Sequence, residues 1–227
     1  MFKDRMWTWG YFTTAQTDPP PYRENDVIKM LWAGRMLDWK RADLVIELAR
    51  RLKGQKHSFA LDLIGDGPMK ANLVRQCQRN GLEDVVSFFP ATTPEGVRKA
   101  MLNADIFLMT SNYREGWGAV IKEAMDSGCC VVASKGPGAA PSLIEHKKNG
   151  FLFESGNVAQ LCSIVSALLE QPEECGEVGM EAWKAMAEAW SPEAAAKRFV
   201  ALVEGLLGWR PIPDFDRGPC SIAKVFH

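Results

Sequence analysis

Residues 104–134, ADIFLMTSNYREGWGAVIKEAMDSGCCVVAS, constrain the fold more than any other stretch of this chain. Asp105-Ile-Phe-Leu-Met109 is a short apolar run of buried-strand type, and Cys129-Cys-Val-Val-Ala133 is a second. Between them the pattern predicts a loop ending in Glu115-Gly-Trp-Gly118, then a helix from about Trp117 to Ser127 closed by Gly128. Two parallel strands joined by one helix form a βαβ unit, whose helix N-terminus aims free N–H groups at the carboxyl edge of the sheet. An anion placed there would meet the backbone N–H groups of Gly118, Ala119 and Val120. The two glycines let it approach the main chain closely.

The same alternation runs through most of the chain. Val27 to Ala33 reads as a strand ending at Gly34-Arg35, and Arg41 to Leu52 as a helix that buries Leu44, Ile46, Leu48, Ala49 and Leu52. Ser58 to Ile64 is a strand ending in Gly65-Asp-Gly-Pro68, and Pro68 suits the first turn of the helix that follows. Val85 to Phe89 is a strand. Thr93-Pro94 is a cap with proline behind it, opening a helix to Leu102. After the central unit come a loop at Gly136-Pro-Gly138, a short helix from Ala140 to His146, and an Asn149-Gly150 turn into Phe151-Leu-Phe153. Val158–Leu169, Glu173–Ala189 and Pro192–Leu207 read as three further helices, the last opened by Ser191-Pro192. About six strands with intervening helices predict an α/β fold: a doubly wound, Rossmann-like parallel sheet. Ligands of such sheets bind at the carboxyl ends of the strands.

Residues 1–26 stand outside this alternation. The aromatic run Met6-Trp-Thr-Trp-Gly-Tyr-Phe12 leads through polar Thr13–Thr17 into Asp18-Pro-Pro-Pro21, which no helix or central strand could absorb. They read as a linker and the remnant of a preceding domain, with the aromatics packed on the domain's flank or on a neighbour. The chain therefore divides into 1–26, a Rossmann-like unit at 27–190, and a C-terminal helix and tail at 191–227.

Composition excludes more than it assigns. A net charge of −1 gives no bulk field to attract nucleic acid. No apolar run reaches the roughly 18–20 residues that span a bilayer, and the first residues lack the pattern of a signal peptide. The expectation is a cytoplasmic protein without a transmembrane segment, which leaves peripheral membrane contact open. The six cysteines follow no framework of spacings and read as reduced, mostly buried thiols, with Cys129 and Cys130 on opposite faces of their strand. The three histidines offer no metal-ligand pairing, so no metal site is expected. Asp214-Phe-Asp216 has metal-binding spacing but lies in a proline-rich tail, where it reads as solvated. The stripe Phe199, Leu202, Val203, Leu206 and Leu207 reads as core or a domain contact.

If function lies at the carboxyl edge, it falls on the residues after each strand. The first strand is followed by Gly34-Arg35 and, five residues on, by Lys40. An arginine forks onto phosphate oxygens and a lysine adds a compact charge. Gly65-Asp66-Gly67 follows the second strand as a tight turn, equally consistent with a structural role and with ligand contact. Glu115 and Glu123 bracket the anion site of the central unit. Carboxylates accept hydrogen bonds from sugar hydroxyls, although singly each is also at home as an acid near a helix start.

Together these motifs resemble glycosyltransferase family 4. The resemblance rests on Gly34-Arg35-x4-Lys40 and on Glu115-x7-Glu123 with Gly116-Trp117-Gly118 inside it, and it spans roughly Val27 to Ala201. Gly65-Asp-Gly-Pro68, Gly136-Pro-Gly138 and Asn149-Gly150 also match, whereas Pro90-Ala91-Thr92 replaces the glycine that the family usually has in its base-binding loop. Members are retaining enzymes of the GT-B fold, whose C-terminal half holds the donor. The resemblance implies such a half, moving a hexose from a UDP-, GDP- or ADP-linked sugar to a glycan or lipid-linked acceptor, without a metal or other cofactor. Arg35 and Lys40 would neutralise the diphosphate, Glu115 would position the sugar and Glu123 the ribose. Gly34, Gly65, Asp66, Gly67, Gly116, Trp117, Gly118, Ala119 and Val120 would line the donor. An N-terminal acceptor-binding domain, or a separate chain, would complete the site, so this chain is expected to be incomplete alone. A non-catalytic nucleotide-sugar binding remnant and a GT-B-like nucleotide-sugar epimerase are the other readings.

Overall fold

The computed structural model describes residues 6–13, 18–20 and 27–223. Six parallel strands form one sheet: β1 (Lys29–Ala33), β2 (Ala60–Ile64), β3 (Val86–Phe89), β4 (Ile106–Met109), β5 (Cys130–Ser134) and β6 (Phe151–Phe153). Their spatial order is β3-β2-β1-β4-β5-β6, so the chain reverses its direction of travel between β1 and β4. Met30 pairs with Leu61 on one side and Ile106 on the other, which locks β1 at the centre. Every residue of β4 and β5 is buried, as the apolar runs predict for strands covered on both faces.

The helices are α1 (Ala42–Gly54), α2 (Lys70–Arg79), α3 (Pro94–Leu102), α4 (Val120–Asp126), α5 (Ala139–Leu143), α6 (Val158–Glu170), α7 (Pro172–Ala189) and α8 (Pro192–Leu206). Side chains alternate across β1: Met30 and Trp32 join one core with α1, α2 and α6, Leu31 and Ala33 the other with α3, α4 and α5. Cys130 lies in the first core and Cys129 in the second, the opposite facing expected of neighbours in a strand. All six cysteines are buried, and none is in a disulfide. Thr93 and Ser191 cap α3 and α8, each accepting from the N–H three residues on, with proline in the first turn.

Several boundaries differ from the sequence expectation, each for a local reason. The central helix begins at Val120, not Trp117, because Gly116 and Trp117 direct their carbonyls to the N–H groups of Gly138 and Ala139, and Gly118 turns the chain at φ 80°. The short helix stops at Leu143 and not His146, because the Asn149 amide donates to the Leu143 carbonyl and its oxygen accepts from the Glu145 N–H. Lys40 does not begin α1. It ends a 3-10 turn, Asp38–Lys40, separated from α1 by Arg41 in the left-handed region at φ 53°. Pro68 lies in a turn two residues ahead of α2. β1 starts at Lys29, two residues later than expected.

The aromatic N-terminal segment packs on the flank. Trp9 meets Phe199 at 5.6 Å between centroids, and Phe12 stacks on Trp190 at 6.2 Å. Residues 6–8 pair antiparallel with the C-terminal tail: Thr8 donates to Ser221, Cys220 to Thr8 and Ala223 to Met6. The Thr13 hydroxyl reaches Asp126 of α4 at 3.2 Å. Thr14–Thr17 and Pro21–Asp26, part of the expected linker, lie outside the described residues.

Candidate functional site

The reversal between β1 and β4 puts the place where sheets of this kind hold ligands, the crevice at their carboxyl edge, between the loops after these two strands. The loop after β1 carries Gly34, Arg35 and Lys40, and the loop after β4 carries Glu115 to Ala119. The two loops touch. The Lys40 ammonium forms an ion pair with Glu115, whose Oε2 is sealed from solvent and meets no other donor. Two residues singled out separately in the sequence, 75 positions apart, thus share one charge contact.

Arg35 is exposed and makes no ion pair among the described residues. Glu123 is partly buried on α4; its carbonyl accepts from the Ser127 hydroxyl, and its backbone N–H bonds to Ala119. The N–H groups of Gly118, Ala119 and Val120 donate to no backbone carbonyl among the described residues, as the first N–H groups of a helix do not. The site has one further orphan. The Trp117 indole N–H is sealed from solvent without an acceptor among the described residues.

Gly65 and Gly67 shape the crevice wall. A Cβ at Gly65, where φ is 149°, would lie 1.9 Å from the Gly34 carbonyl oxygen. Gly34 and Met36 donate to the carbonyls of Ile64 and Asp66, and Met69 donates to that of Met36. The second loop therefore buttresses the first. Asp66 turns into its own loop: it accepts from the Gly67 N–H at 2.8 Å and pairs with Lys70 at 3.3 Å. The Gly67 bond, with Lys70 second, holds its carboxyl below the usual range. Gly136-Pro-Gly138 braces the loop after β4, since a Cβ at Gly136 would fall 2.6 Å from the backbone of Asn112. Asn149-Gly150 lies away from the crevice, ending α5.

Sequence reasoning missed Trp39, Thr110, Asn112 and Arg114. The Arg114 guanidinium lies 4.8 Å from the Trp39 ring centroid and bonds to Asp38 at 2.9 Å. Asn112 donates its N–H to the Trp39 carbonyl, and Thr110 donates its hydroxyl to that of Lys40. Thr110 directly follows β4, and that position was the available signal for it. A separate groove of about 730 Å³, lined by Arg50, Arg51, Gln55, Cys162 and Ser166 among others, lies between α1 and α6, away from the crevice. Among the described residues no cluster of three His, Cys, Asp or Glu could hold a metal, and no helix is long and apolar enough to cross a membrane.

The family model for glycosyl transferases group 1 matches residues 16–184. The chain belongs to this family. Its relatives include the amylovoran biosynthesis glycosyltransferase AmsK of Erwinia amylovora, 28% identical over 79% of this chain and 45% of the relative. The poly(ribitol-phosphate) alpha-N-acetylglucosaminyltransferase of Staphylococcus aureus is 26% identical over 88% of this chain and 39% of its own length. The chain thus spans less than half of these relatives. Among solved structures, TarM overlays with a TM-score of 0.72 at 27% identity, covering 83% of this chain and 37% of TarM. Anabaena HepE in complex with UDP overlays at 0.64 and 28%, covering 71% and 44%. The C-terminal domain of LpcC from Francisella tularensis overlays at 0.67 and 23%, covering 73% of this chain and 87% of that domain. The fold is therefore that of the C-terminal half of a GT-B glycosyltransferase.

Proposed function

We propose that this chain is the donor-binding domain of a retaining glycosyltransferase that moves a hexose from a nucleotide diphosphate sugar to a glycan or lipid-linked acceptor. The observation that carries the reading is the Lys40–Glu115 pair, formed across the reversal point beside free backbone N–H groups. It sets a cation, an anion and peptide donors in one crevice. A diphosphate arriving there would compete with Glu115 for Lys40, and a sugar hydroxyl would compete with Lys40 for Glu115. A bound donor would therefore take each group over from the other.

As the glycosyl–phosphate bond loosens toward an oxocarbenium-like state, negative charge builds on the leaving diphosphate. Arg35, Lys40 and the N–H groups of Gly118, Ala119 and Val120 would stabilise that charge, and groups fixed in advance do so without reorganising. Glu115 would orient the hexose and Glu123 would hold the ribose hydroxyls. Gly34, Gly65 and Gly67 would keep the wall open, while Gly116 and Trp117 hold the loop. These roles need no metal. Residues 27–190 would form the binding unit and 191–227 a helix and tail crossing toward an acceptor domain, with 1–26 as the link to it.

Calorimetric titration with UDP, GDP and ADP and their sugars, in the presence of a chelator, tests the reading. UDP comes first because the related HepE was crystallised with it. Saturable binding by the wild type, lost in an Arg35→Ala, Glu123→Ala double variant, is the expected result. Binding equal in both proteins would remove the site assignment. Transfer to an acceptor, measured with an N-terminal GT-B domain grafted on, separates an enzyme from a binding remnant. A sugar altered without any acceptor would instead indicate an epimerase.

A further inference from the structure

The two loops of the crevice are fastened by a buried hydroxyl. Thr110, at the end of β4, is fully buried, and so nearly is Trp32 of β1. The Trp32 indole N–H donates to Thr110 Oγ1 at 3.1 Å, and Thr110 Oγ1 donates to the Lys40 carbonyl at 2.8 Å. An indole N–H can only donate, and a hydroxyl has a single proton. With its oxygen engaged by Trp32, the Thr110 proton is left for the Lys40 carbonyl, so the direction of both bonds is fixed. The 3-10 turn ending at Lys40 has no side-chain cap at its start, and strained Arg41 follows it. Thr110 supplies the donor that this turn's last carbonyl requires. Further out, Asn112 donates to Trp39 and Arg114 pairs with Asp38, in increasing contact with solvent.

We infer that Thr110 is a positioning residue: its hydroxyl fixes the backbone of Lys40, and so aims the Lys40 ammonium at Glu115 and at the place of the donor diphosphate. The link to the diphosphate rests on the function proposed above; the hold on Lys40 does not. Thr110→Val is nearly isosteric and removes only the hydroxyl, which leaves the Trp32 N–H and the Lys40 carbonyl buried without each other's bridge. Thr110→Ser keeps the hydroxyl.

Competitive acylation of lysines, read residue by residue by mass spectrometry on the full chain, tests the hold on Lys40 without any ligand. Thr110→Val is expected to raise the Lys40 rate about threefold, on the order of losing an ion pair of this exposure. Exposed Lys56 and Lys148 serve as internal standards and stay unchanged, and Thr110→Ser returns Lys40 to the wild-type rate. Should Thr110→Val fail to fold, Thr110→Cys replaces it, with a weaker donor of similar shape and an intermediate rate. An unchanged Lys40 rate in whichever variant folds would overturn the inference.

The same proteins are then titrated with the nucleoside diphosphate that the wild type binds. Thr110→Val is expected to weaken it about tenfold, and to have no effect once Lys40→Ala is present. Additive losses would show that Thr110 acts other than through Lys40 and would overturn the inference. A faster Lys40 label in a chain that binds none of the nucleotides would uphold the positioning of Lys40 and remove the donor reading instead.

Discussion

A methyl group at position 65 would have nowhere to go. The Gly34 carbonyl lies 1.9 Å from where that Cβ would be, and it belongs to backbone that β1 holds rigidly. Gly65→Ala is therefore expected to lose more than about 2 kcal/mol in urea denaturation, well above a surface substitution. A midpoint equal to wild type would mean that the loops after β1 and β2 slide apart freely. At this scale the sequence was legible where a residue type is chemically singular. Gly34, Arg35, Lys40, Glu115 and Glu123 stood out because charge and glycine recur after strands. Arg41 did not, since nothing in its side chain announces a left-handed backbone. Thr110 did not either, because a threonine closing an apolar run looks like any strand end until its two partners are seen.

Among the elements, α4 carries the least expected feature, a fully buried lysine. Lys122 bonds both oxygens of Asp126, at 3.0 and 2.7 Å. Burial pushes the Asp126 carboxyl up, while Lys122 and then Thr13 pull it back. Asp126→Ala would leave that cation buried and unpaired, and is expected to cost about 3–5 kcal/mol. The double variant Lys122→Met, Asp126→Leu should come within about 1 kcal/mol of wild type, since apolar side chains of similar size replace the pair. Thermal unfolding of the three proteins decides it: a double variant no better than the single one would locate the loss in packing.

On α1, Arg50 and then Arg51 hold the Glu47 carboxyl down at about 2. A depressed folded value means a contribution fully present above the unfolded value of 4.5 and lost as pH falls toward 2. On this solvent-screened face it amounts to at most about 1 kcal/mol. Glu47→Gln should accordingly flatten acid destabilisation within that window and nowhere else. The strands and most helices could be read ahead because period and caps are local. The start of α4 and the end of α5 could not, because hydrogen bonds from Gly138, Ala139 and Asn149 decide them, and two of those three arrive from another element.

For the whole molecule, the parallel sheet followed from the βα alternation, but the place of its reversal did not. Of the two sites expected for the aromatic N-terminal segment, flank or neighbour, the alternation could not choose the flank. The segment's partners, Phe199, Trp190 and the tail, lie almost two hundred residues away. A chain beginning at residue 14 would lose two aromatic contacts, three backbone bonds and the Thr13–Asp126 bond, about 3 kcal/mol at the low end of each. It is expected to melt about 6–12 °C lower with its sheet intact, and to show faster amide exchange confined to α8, the tail and the ends of α4 and α7 that the segment touches. Uniformly faster exchange would instead make the segment a component of the core. The antiparallel ribbon of residues 6–8 with 220–223 also decides how the fold bears load. Met6 and Ala223 pair at the end of the ribbon from which both termini leave, so pulling the ends apart loads its bonds crosswise and breaks them in succession, as a zip opens. The force for this first yield is low, and it spends itself on the clasp.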